Sequence, residues 1–210
     1  MTIQKLIENY IIEHPSIKDV LSRNLVNYSK LARKIAKDLK LDPKKNFDAI
    51  LIACRRYYDK IKSKNIKEDH IRDILKRSKV EIKNKIIVVV IEKEIFFDNL
   101  LKLENDIKKS DLPFNLVEGA NSITLITSYD FLDKIKKSFK YKIIKIIENL
   151  VEITIRSPKE IEVTYGVIPY LYSLFGDRGI NIHETMSCWT DTILVIKEED
   201  IGKAMEILRF

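Results

Sequence analysis

The chain carries few residues whose types and spacing could support catalysis. Its carboxylate clusters, Glu160 with Glu162 and the run Glu198 to Asp200, fall at loop and helix-cap positions, where acidic residues are expected for structural reasons. No glycine-rich phosphate loop, GxSxG elbow, HExxH or GxGxxG motif occurs. No nucleophile is paired with a base, and Ser187-Cys188-Trp189 is best explained by Trp189 packing at a hairpin turn or an interface. We therefore expect that the protein is not an enzyme.

Histidine and cysteine usage argues against a metal or a redox centre. His14, His70 and His183 lie far apart and lack the spacing of metal ligands. Cys54 and Cys188 form no CxxC pair, and each lies among apolar neighbours, where a cysteine usually acts as a small hydrophobe. We expect no cofactor, no metal and no disulfide. No export signal or membrane-spanning stretch occurs either, so the expected compartment is the cytoplasm and no membrane partner is expected.

The charge is unevenly distributed along the 210 residues. Residues 1–85 hold 22 Lys and Arg against 11 Asp and Glu, a net charge of +11, whereas residues 86–210 hold 16 against 20, a net of −4. A basic segment favours nucleic acid or an acidic protein surface as its partner, because each cation near a phosphate releases counterions. Solvated lysine-rich helices would give the same count, and charge alone does not separate these explanations.

Apolar residues at helical spacing predict a basic helical domain over residues 1–80. The strongest pattern runs from Phe47 through Cys54 to Ile61, with basic residues on the opposite face. Upstream, Asn27 is expected to cap a helix that contains Leu31 and Ile35.

The stretch Ser29 to Ala36 resembles the first helix of helix-turn-helix domains. This resemblance implies that the 47–62 helix is the recognition helix and that DNA is a possible partner. The candidate nucleic-acid-binding residues are Arg33, Lys34, Lys37, Arg55, Arg56 and Lys60. A plain helical bundle used for protein contacts explains the same pattern.

The middle segment, residues 85–148, changes from helical spacing to strand character. Lys85 to Ile91 is a β-branched apolar run typical of a buried strand, and a helical pattern follows it. Two short strands around Gly119-Ala120-Asn121, a helix ending near Phe139 and a strand at Tyr141 to Ile147 complete the order βαββαβ. This order predicts a ferredoxin-like unit.

Residues 149–210 repeat the same order of elements. A strand at Leu150 to Arg156 is followed by a helix after Gly166, a hairpin that begins after Gly179, and a final helix capped by Asp200. No fourth strand is evident before the chain stops at Phe210. That strand could come from residues 161–164, from the first unit or from a partner chain.

The spacing of two glycine stretches makes this last segment similar to ACT domains. Gly166-Val167-Ile168, followed after a helix by Gly179-Ile180-Asn181-Ile182, resembles the PGV…GINI signature of that family, and the likeness is greatest to the paired ACT modules of aspartokinases. The whole arrangement also resembles archaeal proteins that join a helical N-terminus to ACT modules. Tyr165 stands where the family usually has proline.

The resemblance implies a regulatory protein that binds an amino acid and forms a homodimer or a higher homo-oligomer. A helix N-terminus suits a carboxylate because its first backbone N–H groups lack intrahelical partners. The residues implied to line the site are Tyr165, Gly166, Val167, Ile168, Asn181 and Ile182. Many ACT folds bind nothing and only hold subunits together.

The sequence as a whole predicts an α+β protein, with an N-terminal helical domain that resembles helix-turn-helix domains and with two ferredoxin-like ACT units. The first hypothesis for its function is a ligand-responsive regulator in which the ACT units sense an amino acid and the helical domain binds DNA. The second is a regulatory subunit without DNA-binding activity, whose helical domain docks on a metabolic enzyme and whose ACT units serve for oligomerisation.

Overall fold

A computed structural model of the chain describes residues 2–62, 66–94 and 97–210. The chain forms two compact units, residues 1–70 and residues 71–210. The mixture of helices with one antiparallel sheet confirms the predicted α+β class. Within the described residues, no helix is both long enough and apolar enough to cross a membrane.

Four helices account for most of the first unit. They are α1 (Ile3–Glu13), α2 (Pro15–Ser22), α3 (Tyr28–Asp38) and α4 (Pro43–Ile61). The side chains of Thr2, Asn27 and Asp42 cap α1, α3 and α4, each by accepting a hydrogen bond from a backbone N–H in the first turn. Proline occupies the first position of α2 and α4, where its missing N–H costs nothing.

The apolar faces of these helices enclose a core that includes Ile11, Ile35, Ile50 and Cys54. Burial raises the pKa of the Cys54 thiol to about 11, so this cysteine stays protonated and packs as a small hydrophobe. At the edge of the core, the Tyr10 hydroxyl donates a hydrogen bond of 2.5 Å to Asp38, which joins α1 to α3.

A six-stranded antiparallel sheet and five helices make up the second unit. Its helices are α5 (Ile66–Lys76), which begins before the boundary between the units, α6 (Phe97–Lys109), α7 (Leu132–Phe139), α8 (Val167–Asp177) and α9 (Ile201–Ile207). Its strands are β1 (Lys79–Glu92), β2 (Phe114–Glu118), β3 (Ser122–Ser128), β4 (Ile143–Arg156), β5 (Ile182–Cys188) and β6 (Asp191–Lys197). The strands are arranged in the order β2-β3-β1-β4-β6-β5.

Two strands of 14 residues, β1 and β4, run through both halves of this sheet. Residues 86–91 of β1 pair with β3 on one side and with residues 143–150 of β4 on the other. Residues 79–83 of β1 pair with residues 152–156 of β4, which in turn pair with β6. The fourth strand missing from the C-terminal segment is therefore residues 79–83, an extension of the first strand of the preceding segment.

Irregularities in the register divide each long strand into two parts. Between Lys83 and Ile86 β1 holds one extra residue, and between Ile147 and Leu150 β4 holds one. Lys85 and Asn149 have positive φ angles of 55° and 58° at these points, the conformation of a bulge. A bulge reverses which face of the sheet the following side chains occupy. The alternation of Val80 and Ile82 therefore continues with Ile87 and Val89 on the same face.

Helices cover this face of the sheet in both halves. In one half, α6 and α7 pack against Ile87, Val89 and Leu125. In the other, α5, α8 and α9 pack against Val151, Ile153 and Leu194. The buried residues that α5 contributes are Ile71, Ile74 and Leu75. The predicted domain limits at residues 80, 85 and 148 stay predictions, but this part of α5 packs with the second unit.

A buried carboxylate lies on the opposite face of the sheet. The side chain of Glu152 in β4 is 2% exposed, accepts a hydrogen bond of 2.7 Å from the Asn115 amide and lies 3.4 Å from the Lys83 ammonium. Asn115 belongs to the edge strand β2, and β3 and β1 separate it from β4 in the sheet order. The sheet must therefore curve around a small core that contains Val88, Ile126 and Val195.

Replacing Glu152 with alanine should destabilise the second unit by about 2 kcal/mol, because Asn115 loses its acceptor and Lys83 loses its counter-ion. Urea unfolding followed through Trp189, the only tryptophan, measures this change. Glu81→Ala is the matched control, since Glu81 lies on the same face but is exposed and should change stability by about 0.5 kcal/mol at most. Equal effects of the two variants would show that the Glu152 contacts do not stabilise the curved sheet.

The bulge at Lys85 gives a second prediction, of opposite sign. Lys85→Gly should stabilise the second unit by about 0.5–1 kcal/mol, because glycine adopts a positive φ without the strain of a Cβ atom. The same change at Lys79, an exposed residue with ordinary strand pairing, should destabilise by a similar amount. Urea midpoints of the two variants test this, and a loss of stability in both would contradict the role given to the bulge.

Candidate functional site

The N-terminus of α8 contains the first four residues of the predicted ligand site or lies directly beside them. Gly166 precedes the helix with a φ of 99°, a conformation that favours glycine, and no side chain caps the helix there. Val167 is buried and Ile168 is half-buried, so their side chains hold the first turn in place. Pro169 has no N–H, so the backbone donors of this turn are those of Gly166, Val167 and Ile168.

The β4–α8 loop that leads to this turn is fixed at several points. Glu160 forms an ion pair of 2.9 Å with Arg77, which follows α5. The hydroxyls of Ser78 and Ser157 lie 3.0 Å apart, and the Thr164 hydroxyl donates to the Glu160 carbonyl at 2.7 Å. The loop therefore presents a defined backbone at the start of α8.

Aromatic side chains lie on the outer side of the same loop. Tyr165 is 71% exposed, so its ring extends away from the core. The Trp189 indole, in the β5–β6 turn, donates a hydrogen bond to Glu162, and the Lys159 ammonium lies 5.5 Å from the centre of its ring. This agrees with the expected position of Trp189 at a hairpin turn.

α5 lies directly against the turn. A Cβ atom added to Gly166 would come within 3.3 Å of Cδ1 of Ile71. A side chain at position 166 would thus meet both an unfavourable φ and a neighbouring helix. The sequence signature predicts a glycine at position 166, but it does not predict that Ile71 of α5 lies beside this position.

The structure brings together only part of the predicted ligand site. Tyr165, Gly166, Val167 and Ile168 are consecutive at the N-terminal end of α8, whereas Asn181 and Ile182 follow its C-terminal end. An α-helix of 11 residues is about 16 Å long, which separates the two groups. One small ligand does not reach both groups within a single chain. The binding role of these six residues stays a prediction.

Two polar residues near Asn181 were not among the predicted site residues. Nε2 of His183 is buried and has no hydrogen-bond partner among the residues that the structure describes. Burial raises the pKa of the neighbouring Glu184 carboxyl, and His183 acts in the opposite direction. A bulge between Ile182 and Glu184 determines the orientation of the His183 and Glu184 side chains. No sequence pattern predicted that bulge.

Five of the six predicted nucleic-acid-binding residues have partners within the first unit. Lys34 pairs with Asp38 at 3.0 Å and Lys60 with Glu8 at 3.2 Å. Arg56 donates to Gln4 at 3.3 Å. The guanidinium of Arg33 lies 5.5 Å from the ring centre of Phe47, and that of Arg55 lies 5.8 Å from the ring centre of Tyr28. Lys37 lies exposed in the last turn of α3.

The basic residues of α4 contact different neighbours. Arg55 stacks on Tyr28 of α3, whereas Arg56 and Lys60 contact α1. A recognition helix needs its base-reading and phosphate-binding residues on one outward face. The observed contacts therefore do not support α4 as a recognition helix, and helix-turn-helix character stays a prediction from the resemblance. The residues described also contain no cluster of three or more His, Cys, Asp or Glu able to hold a metal.

Comparison at the level of sequence yields no relative. No protein-family model matches the chain, and no curated protein is similar to it in sequence.

The fold, however, is found in solved structures. The aspartate kinase of Clostridium acetobutylicum matches 61% of this chain with a TM-score of 0.50 at 17% identity. The chain covers 33% of that enzyme. A structure of aspartokinase alpha and beta subunits matches 65% of this chain and 95% of its own, with a TM-score of 0.50 at 7% identity. The regulatory subunit of aspartate kinase from Thermus thermophilus matches 61% and 92%, with a TM-score of 0.48 at 12% identity. About three fifths of this chain thus has a fold that occurs in aspartokinases.

Proposed function

We propose that the protein is a non-catalytic regulator that binds an amino acid at the N-terminus of α8. The observation that carries this proposal is Gly166, whose positive φ begins an uncapped helix with backbone N–H groups available for a carboxylate. The fold shared with the aspartate kinase of Clostridium acetobutylicum, which is an allosteric enzyme, supports it. The resemblance of the two glycine stretches to the signature of ACT domains supports it too.

An amino acid suits this turn for a second reason. It carries an ammonium group beside its carboxylate, and the loop before α8 contains the carboxylates of Glu160 and Glu162. Glu160 is engaged by Arg77, whereas Glu162 is exposed and accepts from the Trp189 indole. Backbone donors for the carboxylate and Glu162 for the ammonium match the two charges of the ligand.

Homo-oligomerisation is part of the proposal. Asn181 and Ile182 lie at the other end of α8, so a site that uses both predicted groups requires a second copy of the chain. DNA binding is not part of the proposal, because most of the predicted nucleic-acid-binding residues contact other residues of the first unit.

A thermal-shift screen of the full chain against the common amino acids tests the proposal. One of them should raise Tm, since a ligand present at about 100 times its Kd adds about 2.7 kcal/mol to the stability of the state it binds. Gly166→Ala should abolish this ligand-induced shift, because the added Cβ disturbs the turn that holds the N–H groups.

Gly176→Ala is the matched control, since Gly176 lies in the same helix and a Cβ there would meet no other atom within 4 Å. This variant should keep the full shift. The proposal is wrong if no amino acid stabilises the unchanged protein, or if the shift survives in Gly166→Ala.

A further inference from the structure

A positively charged groove lies between α6 and α7, in the half of the sheet that lacks the α8 turn. Its volume is about 370 Å³, within the range of small-molecule sites. On α6 it is lined by Asn99, Lys102, Asp106 and Lys109, and on α7 by Lys134 and Ser138. Asn105 and the buried Leu103, both on α6, complete the lining.

The spacing of these residues places them on facing stripes. Positions 99, 102, 106 and 109 differ by three or four residues and so share one face of α6, and positions 134 and 138 do the same on α7. Lys102 and Lys109 are separated by about 10 Å along the helix axis. Their ammonium groups are therefore distributed along the groove.

An ion pair connects the two walls of the groove. The Lys134 ammonium donates to the Asp106 carboxylate. This hydrogen bond, and to a smaller extent the charge of Lys109, lowers the pKa of Asp106, which remains ionised. The pair fixes the position of Lys134 while two further N–H donors of its ammonium remain. Three lysines against one aspartate give the groove a net charge of +2.

The surface beside the groove carries charges of both signs, including the exposed Lys136 and Lys137 of α7. Lys108, on the outer side of α6, pairs with Glu104 at 2.5 Å, and Asp133 is exposed on α7. Residues 86–210 as a whole carry a net charge of −4. A cleft lined mainly by one sign of charge raises the local concentration of small ions of the opposite sign.

We propose that the groove between α6 and α7 binds a small phosphorylated molecule with several negative charges. Lysine binds phosphate as a point charge, and ammonium groups distributed along the groove suit a ligand that carries several phosphate charges. The Asn99 amide and the Ser138 hydroxyl supply neutral hydrogen-bonding groups beside the lysines. This site is independent of the one proposed at α8.

Calorimetric titration of the full chain with inorganic tripolyphosphate tests the proposal, with citrate as the carboxylate comparison. Saturable binding of tripolyphosphate is expected, tighter than that of citrate by about tenfold, because tripolyphosphate carries more negative charge. Lys102→Ala with Lys109→Ala should weaken it by about tenfold to a hundredfold, because each charged hydrogen bond contributes about a factor of ten. Asp106→Asn should tighten it, since the groove then loses the negative charge of Asp106.

Lys136→Ala with Lys137→Ala is the matched control, because these lysines belong to the exposed surface of α7 and not to the groove lining. It should leave the affinity within about twofold. An absence of saturable binding, an equal loss in this control, or citrate binding as tightly as tripolyphosphate would each overturn the proposal.

Discussion

The second unit depends on the pairing of two long strands with each other. β1 and β4 lie antiparallel at the centre of the sheet, and every other strand is attached to one of them, directly or through one neighbour. Each strand is the first strand of one half and the closing strand of the other. A ferredoxin-like half needs four strands to cover its two helices, so neither half is complete without the other. Because of the bulges at Lys85 and Asn149, the helices of both halves cover the same face of the sheet.

Much of this fold could be predicted from the sequence. The apolar run after Lys85 and the alternating residues after Leu150 predicted the central strands, and apolar spacing predicted the helices. The predicted cap at Asn27 is confirmed, whereas the side chain of Asp200 makes no capping hydrogen bond to α9. The full length of β1 and β4 could not be predicted. A bulge interrupts the alternation of side chains. The odd spacing between Ile82 and Ile87 therefore does not fit the period of two that identifies a single strand. The sequence therefore left open three sources for the fourth strand, and only the register of β1 against β4 distinguishes them.

The two candidate sites differ in how much of each could be predicted from the sequence. Gly166 was identifiable because its conformation is encoded by residue type and by the helix that follows. The groove between α6 and α7 was not identifiable, because Lys102 and Lys134 are distant in sequence and become neighbours only when two helices pack side by side. Charge counts were similarly incomplete. They reported a basic N-terminal segment but not that Arg33 and Arg55 stack on aromatic rings or that Lys60 faces Glu8.

The shared strand also determines the order in which the chain can assemble. Lys79 pairs with Arg156, and the whole of one half of the sheet lies between them in the chain. Closing so long a loop costs entropy before any contact compensates for it, and such non-local pairing slows folding. During synthesis the first residues of β1 emerge well before β4, so their backbone N–H and C=O groups stay unpaired until β4 is made. Unpaired strand edges of this kind associate readily with other chains. The charged residues Lys79, Glu81 and Lys83 alternate along that segment. Charges on an unpaired edge oppose such association, and this segment carries three of them.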